Sequence, residues 1–319
     1  MKTKAYQAAA ISAALLILVL PLFIESSFIL HMFILIFFYV ALTSAWNIPV
    51  IGGKLSLGHA TFFGIGGYTA AILYVKLGVT PWLGIFAAVF VSLIVAGIMS
   101  LPLIRLRGPF FTLTSIAFAE IFLRIAIHWR GLTNGTVGIN IPFKPALLNL
   151  TFQSSKPFYY LIFILAVIIV YITYRIRSSA LGFHLRAAAS NEDAARALGV
   201  NVSLVQIVSL MWSAGLTSFI SVFYVFYIYT VEPHTLFSFT LFSLQPALNG
   251  IIGGLGTLWG PVIGAILMTP FGEFLRFYLG SIQQGLNFVV YGVVLIIVVV
   301  YMPGGIDSIL KKYFRRNSG

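Results

Sequence analysis

The 319-residue sequence contains no cysteine and very few charged residues. The absence of cysteine excludes disulfides, thiolate metal sites and cysteine nucleophiles. Charged residues make up only 8% of the chain, against roughly a quarter in an ordinary soluble domain, and hydrophobic residues make up 60%. A chain of this composition cannot cover its surface with groups that face water, so the sequence predicts a protein whose solvent is lipid.

The sequence also lacks the pattern G-x-x-x-x-G-K-[ST], whose backbone amides and lysine cradle nucleotide phosphates. The chain is therefore not expected to hydrolyse ATP, and any energy for its work must come from a partner or a gradient. No spacing of histidines and acids within a predicted span suits a metal, so neither a metal nor a bound cofactor is predicted. The lack of a paired-carboxylate or Ser/His/Asp constellation disfavours a membrane enzyme.

Long apolar runs follow one another along almost the whole chain. A hydrocarbon core roughly 30 Å thick needs about 20 apolar residues per helix, so the length allows about ten spans and leaves no soluble domain. We predict an all-α, polytopic transmembrane bundle that forms one domain over residues 1–319, with a cytoplasmic loop at about 176–202 and a basic tail at 303–319. The predicted spans are 8–24, 28–48, 60–76, 82–104, 109–127, 158–174, 203–229, 241–257, 260–279 and 286–302.

Basic residues lie mostly at the ends of these spans, and not on one exposed face as binding of nucleic acid would require. With a cytoplasmic N-terminus, thirteen Lys and Arg fall in inside loops and four in outside loops. The apolar run 8–24 is then a retained span and not a cleaved signal. The sequence predicts a multi-pass membrane protein with both termini cytoplasmic and an even number of spans.

The longest polar stretch on the predicted inner side runs from Ser178 to Ser203. Ser190 followed by Asp193 matches a capping box, the alanine-rich run to Leu198 favours a helix, and Gly199 favours its end. We therefore predict a short helix within this loop. Because so short a helix is not stable alone in water, it must pack against another part of the protein.

Two predicted spans, 60–76 and 241–257, are rich in glycine. Interrupted helices at membrane depth can line a transport path, and small residues can equally serve close packing of helices; both interpretations remain open. The segments 51–57 and 252–258 share the pattern I-G-G-x-x-[ST]-L, which suggests an internal repeat. The glycines and proline that interrupt the pattern are Gly58, Gly64, Gly66, Gly67, Pro246, Gly250, Gly253, Gly254 and Gly256.

Small and neutral polar residues near these segments are the candidates for a translocation pathway, since they can offer hydrogen bonds to a passing polar solute. His59 can also be an ordinary hydrogen-bonded residue. The candidate pathway residues are Gly53, Ser56, Gly58, His59, Thr61, Asn249, Gly253, Gly254 and Thr257.

Two acids in predicted spans each have a base on the same helix face. Glu120 precedes Arg124 by four residues, and Glu273 precedes Arg276 by three. Because charges in a membrane are costly, the spacing favours intramembrane ion pairs, with proton or substrate relays as the alternative.

Four stretches resemble known permease sequences. Residues 193–199, DAARALG, resemble the E-A-A-x-x-x-G signature of importer permeases of the ATP-binding cassette class, with Asp193 in place of Glu. Residues 52–68, residues 106–112 with Phe118-Ala119-Glu120, and residues 253–261 are similar, in the same order, to the branched-chain amino acid permeases of the LivM type.

The resemblance implies a subunit that forms half of the translocation pathway for leucine, isoleucine and valine. It implies a sister permease, two cytoplasmic ATPase subunits that hold ATP and Mg, and an external substrate-binding protein. It also implies a loop that inserts into a groove of the ATPase, with Ser190, Asp193, Ala194, Ala195, Arg196 and Gly199. Two alternatives stay open: the same machine carrying urea, an amide or another amino acid, and a proton-coupled secondary transporter that uses Glu120 or Glu273.

Overall fold

The computed structural model describes residues 20–23, 26–279, 286–301 and 304–308, and these residues are predominantly helical. The predicted all-α class is therefore confirmed. Short 3-10 turns occur at Gly135–Val137 and Leu147–Asn149, and a π turn occurs at Thr240–Leu244. Two short strands, β1 (Ile139–Asn140) and β2 (Thr230–Val231), pair in antiparallel orientation. The α-helices are α1 Ser27–Ile51, α2 His59–Leu77, α3 Pro81–Leu103, α4 Pro109–His128, α5 Arg130–Thr133, α6 Ser155–Ser178, α7 Ala180–Ser190, α8 Glu192–Ala197, α9 Val202–Ile228, α10 Pro233–Leu236, α11 Gln245–Gly253, α12 Gly260–Leu279 and α13 Leu286–Tyr301.

Seven helical segments in the described part of the chain are long and apolar enough to cross a membrane. Six are α1, α2, α3, α4, α6 and α9, and the seventh runs over Pro233–Gly253. They correspond to the second to eighth predicted spans, although the eighth begins and ends earlier than predicted. Helices α12 and α13 coincide with the last two predicted spans. The first, 8–24, lies almost wholly outside the described residues, so a total of about ten spans stays a prediction.

Contacts between loops place successive helix ends on alternate sides of the bundle. On one side, the Lys54 ammonium before α2 donates to the Leu106 carbonyl between α3 and α4 at 3.1 Å. On the other side, the Lys76 ammonium at the end of α2 donates to the Gly131 carbonyl at 2.9 Å. Loops 52–58 and 104–108 therefore share one face, and a contact of 3.0 Å between Lys54 and Glu192 places loop 179–201 on it as well, as the predicted alternation of spans requires.

Helices α1 and α9 form the interior of the bundle. Aromatic rings fill the space around α1, where Phe63 stacks on Phe242 with centroids 3.7 Å apart and Phe38 meets both rings edge-on. The outer helices instead expose large apolar side chains, such as Phe86 and Phe90 on α3. An apolar surface around an aromatic interior is what a lipid solvent favours.

The glycines of the third predicted span do not interrupt it, because α2 is a continuous helix. A Cβ on Gly66 would overlap the Ser218 hydroxyl of α9, and one on Gly67 would lie 2.8 Å from the Val225 side chain. Of the two interpretations left open for this span, the structure supports close packing of helices. The glycines allow α2 and α9 to approach closely, which offsets their low helix propensity.

The eighth predicted span is interrupted, as its glycine content predicts. The π turn precedes α11, which ends at Gly253, and Gly254 has φ of 129°, a conformation that favours glycine. A Cβ on Gly253 would overlap the carbonyl oxygen of Gly260, and one on Gly264 would overlap that of Asn249. The backbones of α11 and α12 are therefore in direct contact.

The two segments that share the I-G-G pattern meet on the face formed by loops 52–58, 104–108 and 179–201. The Asn47 side chain of α1 accepts a hydrogen bond from the Gly256 amide at 2.9 Å and donates to the Thr257 carbonyl at 2.7 Å. The neighbouring Trp46 donates to the Ser56 carbonyl at 2.7 Å. Adjacent side chains of α1 thus hold both segments, while an internal repeat stays a prediction.

Candidate functional site

The loop over 179–201 folds into two helices, α7 and α8, where a single one was predicted. Asn191 separates them with an extended backbone, and its side-chain oxygen accepts hydrogen bonds from the amides of Asp193 and Ala194, each at 3.0 Å. The predicted cap at Ser190 is therefore wrong, because Ser190 ends α7 and its hydroxyl donates to the Arg186 carbonyl. Asparagine caps a helix as well as serine does, and only Asn191 has the extended backbone that a cap needs.

The end of α8 is the one that the sequence predicts. Gly199 has φ of 86°, its amide donates to the Arg196 carbonyl, and the Val200 amide donates to the Ala195 carbonyl, each at 3.0 Å. This pair of bonds is a Schellman motif, in which glycine takes the left-handed position without strain. Hydrogen bonds at both ends therefore define α8 as a six-residue helix.

One face of α8 packs on the protein and the other is open. Ala195 is buried and belongs to a small apolar cluster with Ala188 of α7 and Val202 of α9. Leu198 just beyond the helix is 84% exposed, and Ala194 and Ala197 are also exposed. The prediction that packing holds this helix is confirmed, and a row of small residues with one leucine faces outward.

A single carboxylate joins α8 to two other loops. Glu192 Oε1 lies 3.0 Å from the Lys54 ammonium and accepts a hydrogen bond from the side-chain Nε2 of Gln206 on α9 at 3.1 Å. Its Oε2 lies 3.6 Å from Arg107 Nε in the turn between α3 and α4. The Lys54 side chain is only 6% exposed and that of Glu192 20%. We refer to Lys54, Arg107, Glu192 and Gln206 as the anchor.

Sequence reasoning did not identify Glu192 as a functional residue. The available signal was that Glu192 and Asp193 are the only acids in the predicted loop 176–202, among many basic residues on the same predicted side. The chain alone does not reveal which of the two acids turns inward. In the structure Asp193 is the outward one, since its side chain is 72% exposed and meets Arg107 at 3.1 Å and Arg196 at 3.6 Å. Such exposed pairs contribute little stability.

Opposing effects set the pKa of Glu192. Burial by itself raises the pKa of this carboxyl group, but hydrogen bonds from Lys54 and Gln206 and the charges of Lys54 and Arg107 lower it. The lowering effects prevail, so the pKa of Glu192 lies below its ordinary value of 4.5. The carboxylate is therefore ionised at neutral pH and stays so into mildly acidic solution.

This lowered pKa predicts how acid affects the anchor. A carboxyl group whose pKa is lower in the folded than in the unfolded state stabilises the fold above the unfolded value of 4.5. That stabilisation is lost as the pH falls through the folded pKa. We therefore expect the difference in thermal unfolding temperature between the native chain and Glu192→Gln to be constant near neutrality and to shrink only below pH 4.5. A difference that already shrinks between pH 7 and 6 would contradict a lowered pKa.

Four of the predicted pathway residues are buried side chains near the ends of α1, α2 and α11: Ser56, His59, Thr61 and Asn249. His59 Nε2 lies 2.6 Å from the Ser213 hydroxyl of α9. Within the part of the chain that the structure describes, the Thr61 hydroxyl and the Asn249 side-chain oxygen are buried without a hydrogen-bond partner. A pathway role for these residues stays a prediction.

The other predicted pathway residues take part in turns. Gly53 has φ of 75° and packs near Ala189, and Gly58 precedes α2 where a Cβ would meet the Ser115 carbonyl at 2.5 Å. The Thr257 hydroxyl donates to the Gly254 carbonyl and accepts from the Gly260 amide. The two hydrogen bonds of Thr257 stabilise the connection between α11 and α12. None of these contacts tests a role of the residues in transport.

Both predicted ion pairs are present in the structure. Arg124 meets Glu120 at 2.6 Å, and Arg276 meets Glu273 at 3.0 Å. Glu120 and Arg124 are each more than half exposed, so this pair faces the surroundings of the bundle. Among the described residues, no group of three His, Asp or Glu side chains is placed to hold a metal ion.

The fold and the anchored loop define a multi-pass membrane protein, and comparison with known proteins gives its class. The family model described as "Branched-chain amino acid transport system / permease component" matches residues 28–299. The chain therefore belongs to this family of transport permeases, which are not enzymes, and the resemblance inferred from the four stretches is confirmed.

Individual relatives agree with the family. The chain is 24% identical over 305 residues to the high-affinity branched-chain amino acid transport system permease protein LivM of Salmonella typhimurium, covering 88% of this chain and 70% of the relative. The LivM protein of Escherichia coli is 23% identical over the same shares. A probable LivM protein of Methanocaldococcus jannaschii is 22% identical, covering 80% of each chain. No solved structure matches the chain.

Proposed function

We propose that this chain forms one half of the translocation pathway of an ATP-driven importer of leucine, isoleucine and valine. The observation that carries the proposal is α8, a short capped helix that the anchor holds against the transmembrane bundle while its other face is open. The names of the relatives, which are branched-chain amino acid permeases, support the choice of cargo. Urea, an amide or another amino acid is the alternative cargo.

The outward face of α8 suits insertion into a groove on a second protein. Ala194 and Ala197 allow close approach of a second protein. Leu198 offers an apolar side chain that is 84% exposed and can enter such a groove. The proposed occupant of this face is one of two cytoplasmic ATPase subunits, which bind ATP and Mg. A sister permease would complete the pathway, and an external binding protein would deliver the amino acid.

The proposal fixes the orientation of the chain. The face that carries α8, Lys54 and Arg107 would lie in the cytoplasm, together with both termini, and the membrane would be the inner membrane of a bacterium. The predicted excess of Lys and Arg in the inside loops supports this orientation. An even number of spans, such as the predicted ten that include residues 8–24, would place both termini on the same side of the membrane.

Replacing Leu198 with glutamate is expected to abolish association with the ATPase subunits and ATP-driven uptake without unfolding the chain. The side chain makes little contact within the chain, while a charge in an apolar groove is costly. Co-purification of the ATPase subunits with the tagged chain measures the association. The matched control is Leu148→Glu, which changes an equally apolar, 63% exposed leucine in the loop on the opposite face. Equal loss in both variants, or none in Leu198→Glu, would contradict the proposed interface.

The cargo is tested by uptake in cells that lack their own systems and express this chain with all its partner subunits. We expect ATP-dependent uptake of labelled leucine, isoleucine and valine, and none of urea. Uptake of urea alone would contradict the assignment of the cargo. Uptake that persists after deletion of residues 190–199 would instead favour a gradient-driven carrier.

A further inference from the structure

A cavity of about 390 Å³ lies where α6 meets α7, on the same face of the bundle as the anchor. Its position is at the end of a membrane-spanning helix, since Ser178 is the last residue of α6. None of the predicted pathway or coupling residues lines it. The lining residues are Tyr174, Arg177, Ser178, Phe183, Arg186 and Leu258.

Two arginines give the cavity a positive charge. Arg186 donates to the Arg177 carbonyl at 2.8 Å, and its guanidinium lies 4.5 Å from the centre of the Phe183 ring. Arg177 Nη1 is buried and has no hydrogen-bond partner among the described residues. Arg177 is repelled by the charge of Arg186 and attracted by that of Asp307, and the repulsion is the larger of these two effects.

A buried guanidinium N–H without a partner costs free energy, and two like charges in one cavity repel each other. An anion with several acceptor oxygens relieves both costs, because it can accept from both arginines. The Ser178 hydroxyl also lines the cavity but donates to the Tyr174 carbonyl at 2.8 Å, so the two arginines supply the donors for an anion. The polar chemistry of the cavity therefore favours a phosphate group.

The rest of the lining is apolar and faces outward. Tyr174 is 48% and Phe183 61% exposed, and Leu258 completes the wall. Aromatic residues beside arginines at a helix end are typical of the boundary between hydrocarbon and water. A free phosphate ion has no apolar part that could pack against these side chains. The glycerol and the first acyl carbons of a phospholipid can pack against them.

We propose that this cavity binds the phosphate of an anionic phospholipid, with Arg177 and Arg186 as its ligands and Tyr174, Phe183 and Leu258 against the acyl chains. The lipid would occupy the leaflet next to the anchor. Basic pockets at membrane-spanning helices bind anionic headgroups in this way.

The test is native mass spectrometry of the full-length chain in a neutral detergent, titrated with phosphatidylglycerol or with phosphatidylcholine. We expect one tightly retained phosphatidylglycerol on the native chain, at least roughly tenfold weaker retention in Arg177→Gln/Arg186→Gln, and no comparable retention of phosphatidylcholine. The matched control is Arg175→Gln. Arg175 leaves the same turn of α6 but contacts Tyr171 and does not line the cavity, so this variant should retain the lipid like the native chain.

Three results would overturn the proposal. Equal loss of lipid in Arg175→Gln would show a non-specific effect of charge, and equal retention of both lipids would show that the headgroup is not recognised. Displacement of the lipid by millimolar inorganic phosphate alone would assign the site to a free anion. Circular dichroism and gel filtration of each variant confirm the fold, and the single variant Arg186→Gln, with an expected intermediate loss, serves if the double variant does not fold.

Discussion

Replacing Glu192 with glutamine is expected to lower the free energy of unfolding by about 3 kcal/mol, because it leaves Lys54 as a buried charge without an ionic partner. The Lys54 side chain is 6% exposed, so water cannot compensate for the loss. The same change removes the ionic contacts of Glu192 with Lys54 and Arg107, and we expect ATP-driven transport to be largely lost. Thermal unfolding in detergent and uptake in cells measure the two effects.

The control for this variant is Glu120→Gln, which also removes one carboxylate from an ion pair. Its pair with Arg124 is more than half exposed, so the expected change is below about 1 kcal/mol. A second variant, Lys54→Met/Glu192→Gln, removes both charges of the buried pair. It should be more stable than Glu192→Gln alone and still fail in transport. If the double variant is no more stable than Glu192→Gln, the unpaired charge of Lys54 is not the cause of the lost stability, and the prediction is wrong.

Replacing Gly253 with alanine is expected to destabilise the protein by about 3 kcal/mol or more, at the upper end of what overpacking costs. The new methyl group would overlap the Gly260 carbonyl, and backbone at a helix contact has no rotamer with which to yield. Helices α11 and α12 would have to separate. The measurement is the thermal unfolding temperature of the purified chain together with its yield in the membrane.

The matched control is Gly97→Ala on α3. A Cβ at Gly97 would meet nothing within 4 Å, so only helix propensity changes, and alanine is the better helix former by about 1 kcal/mol. This variant should therefore be as stable as the native chain or slightly more so. Comparable losses at both positions would mean that the contact between α11 and α12 does not limit the stability.

The positions of the spans could be predicted because they depend on local composition, and α1 begins and ends within a few residues of the predicted 28–48. The continuity of α2 could not, because it depends on α9, which comes more than a hundred residues later and receives Gly66 and Gly67. Propensity predicts a break there, and tertiary packing prevails over it.

The candidate site shows the same division between local and distant information. Gly199 ends α8 as predicted, because a Schellman motif is a local structure. The N-cap of α8 is Asn191, one residue after the predicted Ser190. Either side chain can cap a helix, and the position at which α7 ends decides between them. Glu192 could not be selected from the sequence, because its partners Lys54 and Arg107 are far away along the chain.

The anchor has a mechanical consequence for a protein of this architecture. Lys54 belongs to the segment that leads into α2, and Arg107 belongs to the turn from which α4 begins. Because one carboxylate holds both side chains, a displacement of α8 would pull on the starts of two membrane helices at the same moment. Motion imposed from outside would thus reach the bundle as a concerted tilt of α2 and α4, and not as a rearrangement that spreads from one helix to the next.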